Sequence, residues 1–134
     1  MNRYRRNIIF TIASGLSFPC VAKYSHSIPQ ISPVSPSPVL NKIFQECCPN
    51  LSDAAFIGKQ YLRLQPKESN ESLLKSKLWG DIPYTKVEQA EPCIQAIIKN
   101  HIADCSETNM ITLNGLVLSQ TEIRLYALVF LQFG

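Results

Sequence analysis

The chain has 134 residues, 46% of them apolar, with 13 Lys and Arg against 10 Asp and Glu. That length holds one domain at most, and no apolar run reaches the roughly 18–20 residues of a membrane-spanning helix. Arg3, Arg5 and Arg6 are the only charges before Lys23, which leaves ten basic and ten acidic residues for the rest; the basic surplus that nucleic-acid phosphates demand is absent.

Residues 1–22 run from a basic start through an apolar middle to a small-residue exit, the layout of an export signal that is excluded from fold reasoning. Arg5 and Arg6, followed one residue later by Ile8 and Ile9, are similar to the twin-arginine (Tat) signal of bacteria. The middle is diluted by Thr11, Ser14, Gly15 and Ser17, which suits that pathway. Cleavage after Ala22 would place Cys20 and Ala22 where a signal peptidase requires small side chains. The alternative is a general secretory signal, or an uncleaved anchor. Residues 23–38 carry four prolines and five serines, so they predict an extended tether and not a helix or central strand.

Residues 39–134 remain for a body, enough to bury roughly two thirds of the unfolded surface. Val39, Leu40, Ile43 and Phe44 predict a first helix ended by Pro49. Ser52 or Asp53 can cap a second through Ala54, Ala55, Phe56, Ile57, Tyr61 and Leu62, with Pro66 closing it. Asn70 starts a third that Gly80 stops, and residues 81–85 form a loop. Pro92 suits the first turn of a fourth helix, in which Cys93, Ile94, Ile97, Ile98, His101, Ile102 and Cys105 keep one face apolar. The period then changes. Residues 110–113 and 116–118 flank Asn114-Gly115, the two-residue hairpin signal. Ser119-Gln-Thr-Glu122 reads as a capping box opening a final helix, apolar nearly all round, from Gln120 to about Leu131. Such a helix is either buried centrally or covered by a partner. The expected fold is therefore mainly α, a small helical domain with one C-terminal β-hairpin followed by a buried apolar helix.

The stretch from Leu113 to Leu128 resembles a tail motif of small, Tat-exported bacterial proteins, Asp/Asn-Gly-Trp-x-Leu-Ser-x-Thr-Glu-x-Arg-Leu. The matching positions are Asn114, Gly115, Leu118, Ser119, Thr121, Glu122, Arg124 and Leu125, with Leu116 where the tryptophan stands. The resemblance covers the leader and the last thirty or so residues, and implies export and a shared compact fold, not an activity. Most of the motif also has a structural reading of its own. Asn114 and Gly115 turn the chain, Ser119 and Glu122 start the helix, and Arg124 either snorkels or pairs with a carboxylate such as Glu122 or Asp104.

Candidate chemistry rests on few residues. Behind the leader stand Cys47, Cys48, Cys93 and Cys105. One unbroken helix would hold Cys93 and Cys105 about 18 Å apart, so a disulfide would have to join Cys47 or Cys48 to that helix. Cys93, His101 and Cys105 fall at multiples of four, and with Cys47 or Cys48 could form an N/S metal set; four isoleucines on the same face favour a buried core instead. Cys105 and His101, one turn apart, have the reach of a nucleophile and base, without a legible third residue. No phosphate loop or dinucleotide fingerprint is present, so no cofactor is implied.

These readings imply a periplasmic protein that is not an enzyme, passes through the Tat translocase, binds no nucleic acid and has no permanent membrane span. It is expected to be an accessory subunit or binding partner of an exported oxidoreductase, by association with the folded redox cargo of that pathway. Two alternatives stand beside it: a metal- or thiol-dependent protein using Cys93, His101 and Cys105 with Cys47 or Cys48, and a general-secretory protein held by an uncleaved anchor.

Overall fold

The computed structural model describes residues 36–134. The leader, with Arg5, Arg6 and Ala22, and the tether up to residue 35 lie outside the described residues. Within them the fold is the expected one: five helices and one antiparallel hairpin, with the last helix inside.

Helix α1 spans Pro38–Cys47. Its N-cap is Ser37, whose hydroxyl accepts from Leu40 N–H, and Pro38 takes the first helical position, where a missing N–H costs nothing. The end of the Pro/Ser stretch thus belongs to the body. Cys48, restricted by the proline after it, is extended and closes the helix. Helix α2 spans Leu51–Leu64, and its cap is Asn50, not Ser52 or Asp53; the Asn50 side chain accepts from Asp53 N–H at 3.1 Å. The earlier start brings Leu51 against the core. A short 3-10 turn, Pro66–Glu68, leads to α3, Glu71–Trp79, capped by Asn70 and ended by Gly80 at φ 63°. Helix α4, Ala90–Ser106, follows a second 3-10 turn, Val87–Gln89.

Strands β1, Met110–Leu113, and β2, Leu116–Ser119, pair in the register Ile111 with Leu118 and Thr112 with Val117. Asn114 and Gly115 both have positive φ, 51° and 83°, as a mirror-image turn requires. Two-residue periodicity then sorts the side chains. Leu113 and Leu118 face inward and are buried, while Met110, Thr112 and Val117 face out and are exposed.

The last helix, α5, spans Gln120–Phe133 and buries Ile123, Leu125, Tyr126, Ala127, Leu128 and Val129. Helix α2 packs along it, α3, α4 and the hairpin complete its coat, and α1 lies against α4. The chain's own elements cover α5 through Val129, and Phe130, Leu131 and Phe133 at its end are half-buried. The contact of α2 with α5 is close enough to involve backbone: a Cβ added at Gly58 would lie 2.7 Å from Ala127 N and closer still to the Tyr126 carbonyl.

Candidate functional site

Three elements meet at one end of α5. Ser119 is both the last residue of β2 and the N-cap of α5, so no loop separates sheet from helix and its side chain is fixed by both. Every early donor of α5 has a partner, as a buried helix start needs. Gln120 N–H donates to Asn109 O at 3.0 Å. Thr121 donates from its backbone N–H at 2.7 Å and from its hydroxyl at 2.6 Å to Asp104 Oδ2. Glu122 N–H donates to Ser119 Oγ at 3.0 Å, and Glu122 Oε2 accepts from Ser119 N–H at 2.8 Å. This is the predicted capping box, but both its members are buried, Glu122 to 1% exposure.

Its burial brings it into contact with α4. His101 Nδ1 lies 2.8 Å from Ser119 Oγ and 3.9 Å from Glu122 Oε2. His101 Nε2, on the far side of the ring, lies 3.9 Å from Cys105 Sγ. A chain of polar groups therefore runs from the Ser119 hydroxyl, through the imidazole, to a thiol at the surface, with the Glu122 carboxylate beside the imidazole. Ser119 is the third residue that spacing could not supply, since it stands 18 positions from His101. His101 is also a core histidine, 5% exposed.

Burial disfavours charge on each ring and thiol here. It lowers the His101 pKa below 6.5, with the Asp104 carboxylate opposing, so the imidazole is neutral at pH 7. Burial, then the charges of Glu122 and Asp104, raise the Cys105 thiol above 9.0. Deeper in, burial, the neighbouring Cys47 and then Glu122 push Cys48 up. Burial and Glu122 do the same to Tyr126.

Arg124 behaves differently from its sequence expectation. Two residues from Glu122, it points to another side of α5, and Asp104 is already committed to Thr121. Its partner is Glu68, reached by Nε at 3.2 Å and by a terminal guanidinium nitrogen at 2.9 Å, and Tyr61 donates its hydroxyl to the same carboxylate. Burial alone would raise the Glu68 pKa; the hydrogen bonds from Arg124 and Tyr61 and the guanidinium charge outweigh it and hold the carboxyl below 4.5. The sign follows directly. Protons bind the unfolded carboxyl more readily, so the pair stabilises the fold above about pH 5 and is lost as pH falls through the depressed native value. Replacement Glu68→Gln is expected to flatten the acid limb of stability between about pH 5 and 3, read by urea unfolding at stepped pH. An acid limb as steep as that of the parent would contradict this assignment.

Beside this pair, Tyr61, Leu64, Gln65, Glu68, Ile111, Leu113 and Gln120 line an open groove of about 260 Å³ between α2 and the hairpin. Leu64 is 66% exposed, and Val117 and Met110 on the outer hairpin face are 56% and 38% exposed. Three of the four most exposed large apolar side chains thus belong to the hairpin or to the groove beside it.

The remaining sequence candidates separate. Helix α4 is unbroken, so Cys93 stands eight residues from His101, about 12 Å along the axis and turned by about 80°. Its thiol instead approaches Pro83 O at 3.9 Å. Cys93, His101 and Cys105 cannot share one ion, since Cys93 stands about 12 Å from His101 and about 18 Å from Cys105 along the axis. Among the described residues, no three His, Cys, Asp or Glu side chains are arranged to hold a metal. No bridge joins Cys47, Cys48, Cys93 and Cys105 to one another; the first three are buried and Cys105 is exposed. No helix among the described residues is long and apolar enough to cross a membrane. No family model, curated protein or solved structure matches this chain.

Proposed function

We propose that the chain is a small non-catalytic subunit, exported in folded form by the twin-arginine pathway to accompany a periplasmic oxidoreductase. The observation that carries the reading is the Arg5-Arg6 leader ahead of a body with no surplus charge. The partner's identity as a redox enzyme comes from the kind of cargo that pathway moves. Support from the body is of two kinds. Its core is closed by its own helices, so it can travel already folded. Three of its exposed large apolar residues lie on the hairpin or in the adjoining groove, Met110 and Val117 on the outer hairpin face and Leu64 in the groove, and exposed apolar surface is what a contact surface offers.

The test is made in the cell. Changing Arg5 and Arg6 to Lys is expected to leave uncleaved precursor in the cytoplasm and empty the periplasm of the mature chain. Export continuing unaffected would overturn the pathway and favour a general-secretory protein. The mature chain isolated from the periplasm is expected to carry, in fixed stoichiometry, a second protein with a visible redox-cofactor spectrum. The variant Val117→Asp should release that protein while leaving the helical circular dichroism intact. A chain that purifies alone, or a companion indifferent to position 117, would overturn the partner reading.

A further inference from the structure

Among the described cysteines only Cys105 is exposed, and it is also the only one beside an imidazole. We propose that Cys105 and His101 form a thiol–disulfide exchange site for organic disulfides, with Ser119 as the positioning residue. Ser119 Oγ already accepts Glu122 N–H at 3.0 Å, and a hydroxyl oxygen has a second lone pair. In the tautomer this proposal requires, that lone pair accepts the His101 Nδ1 proton across 2.8 Å, and Nε2 is unprotonated, 3.9 Å from the Cys105 sulfur.

The step balances. As the Cys105 sulfur attacks one sulfur of the incoming disulfide, its proton passes to His101 Nε2. The new S–S bond forms and the old one breaks. The departing thiolate leaves with the electron pair and recovers the proton from the imidazolium. Cys105 is oxidised, half of the disulfide is reduced, and no other oxidant is consumed. Glu122 Oε2, 3.9 Å from Nδ1, faces the imidazolium while it exists. The titratable groups around the pair are Asp104 on α4 and Glu122 on α5, both acidic, and burial first, then these charges, hold the thiol in its protonated form at neutral pH. A base is therefore needed, and a neutral imidazole is in place to act as one.

The product is a lasting mixed disulfide. Cys93 lies about 18 Å back along the same helix, and Cys47 and Cys48 are buried, so no second described thiol can displace the adduct. This distinguishes the site from a dithiol oxidoreductase. It does not depend on the partner reading, because the test reads only the thiol.

The full mature chain is treated with glutathione disulfide and followed by intact and peptide mass. One adduct is expected, on Cys105. Its rate should be nearly level from about pH 6.5 to 8, because a neutral base assists at every pH in that range. An unassisted thiol would slow about tenfold for each unit of pH below its own pKa. Replacement His101→Gln should restore that steep line and lower the rate at pH 7 by about tenfold or more. If that variant does not fold, the parent decides through its rate in heavy water, which should fall about twofold on the level part if a proton moves in the step. A steep line in the parent, equal rates in parent and His101→Gln, or adducts on the buried cysteines would each overturn the proposal.

Discussion

Replacing Gly58 by Ala is expected to destabilise the fold by about 2 kcal/mol or more, against the ordinary gain of Ala over Gly in a helix. On an exposed helix face the same change would stabilise by roughly 0.8–1 kcal/mol. Here the added methyl would meet the Tyr126 carbonyl and lie 2.7 Å from Ala127 N. Those are backbone atoms of α5, already bonded within their own helix, so no flexible side chain can swing aside. Relief requires α2 and α5 to move apart along the most extensive helix contact among the described residues, opening space beside Ile57, Tyr61 and Leu125, all buried. For a body of this size each kcal/mol corresponds to roughly 4–8 °C in Tm, so a fall of about 10 °C is expected by circular dichroism. An unchanged or raised Tm would show that the two backbones do not approach so closely.

Ser119→Ala is expected to cost about 2–3 kcal/mol, more than removing an ordinary cap. The lost cap bond to Glu122 N–H accounts for about 1 kcal/mol. The rest comes from His101, whose Nδ1 would lose its 2.8 Å partner while remaining buried, a situation worth roughly 1–3 kcal/mol. Asn70 provides the internal control. Its side chain caps α3 through Leu73 N–H at 2.9 Å but is exposed and binds nothing in the core, so Asn70→Ala should cost only about 1 kcal/mol. Urea unfolding of the two variants checks the difference, and equal losses would remove the coupling between cap and imidazole.

The two cases also mark how far the amino-acid order could be read. Caps, stops and the hairpin turn were legible because each depends on residues within four positions of one another. Asn70 and Gly80 bound α3, Asn114 and Gly115 take the positive φ angles of the turn, and Ser119 with Glu122 starts α5. Several capping residues crowd at the start of α2, so spacing alone admits Ser52 or Asp53, whereas Asn50 is the cap and Leu51 packs against the core. The apolar circumference of α5 admitted either a central place or a covering partner, and the packing of α2, α3, α4 and the hairpin gives it a central place, with Phe130, Leu131 and Phe133 half-buried at its end.

The candidate site was legible only in halves. Cys105 and His101 are a one-turn pair, and Ser119 and Glu122 are a capping box; each can be found by counting. That the halves touch depends on how α4 crosses the start of α5, which no spacing encodes. The same holds for Arg124, whose nearby carboxylates Glu122 and Asp104 were the natural partners until Glu68, 56 positions away, proved to be the one it reaches. Taken alone, the order of residues determined where helices begin, where the chain turns and which faces are apolar, since backbone dihedral preferences and local hydrogen bonds act over a few residues. Only the tertiary structure decided which polar groups meet, because helix crossing and strand register are set by the packing of the whole core at once.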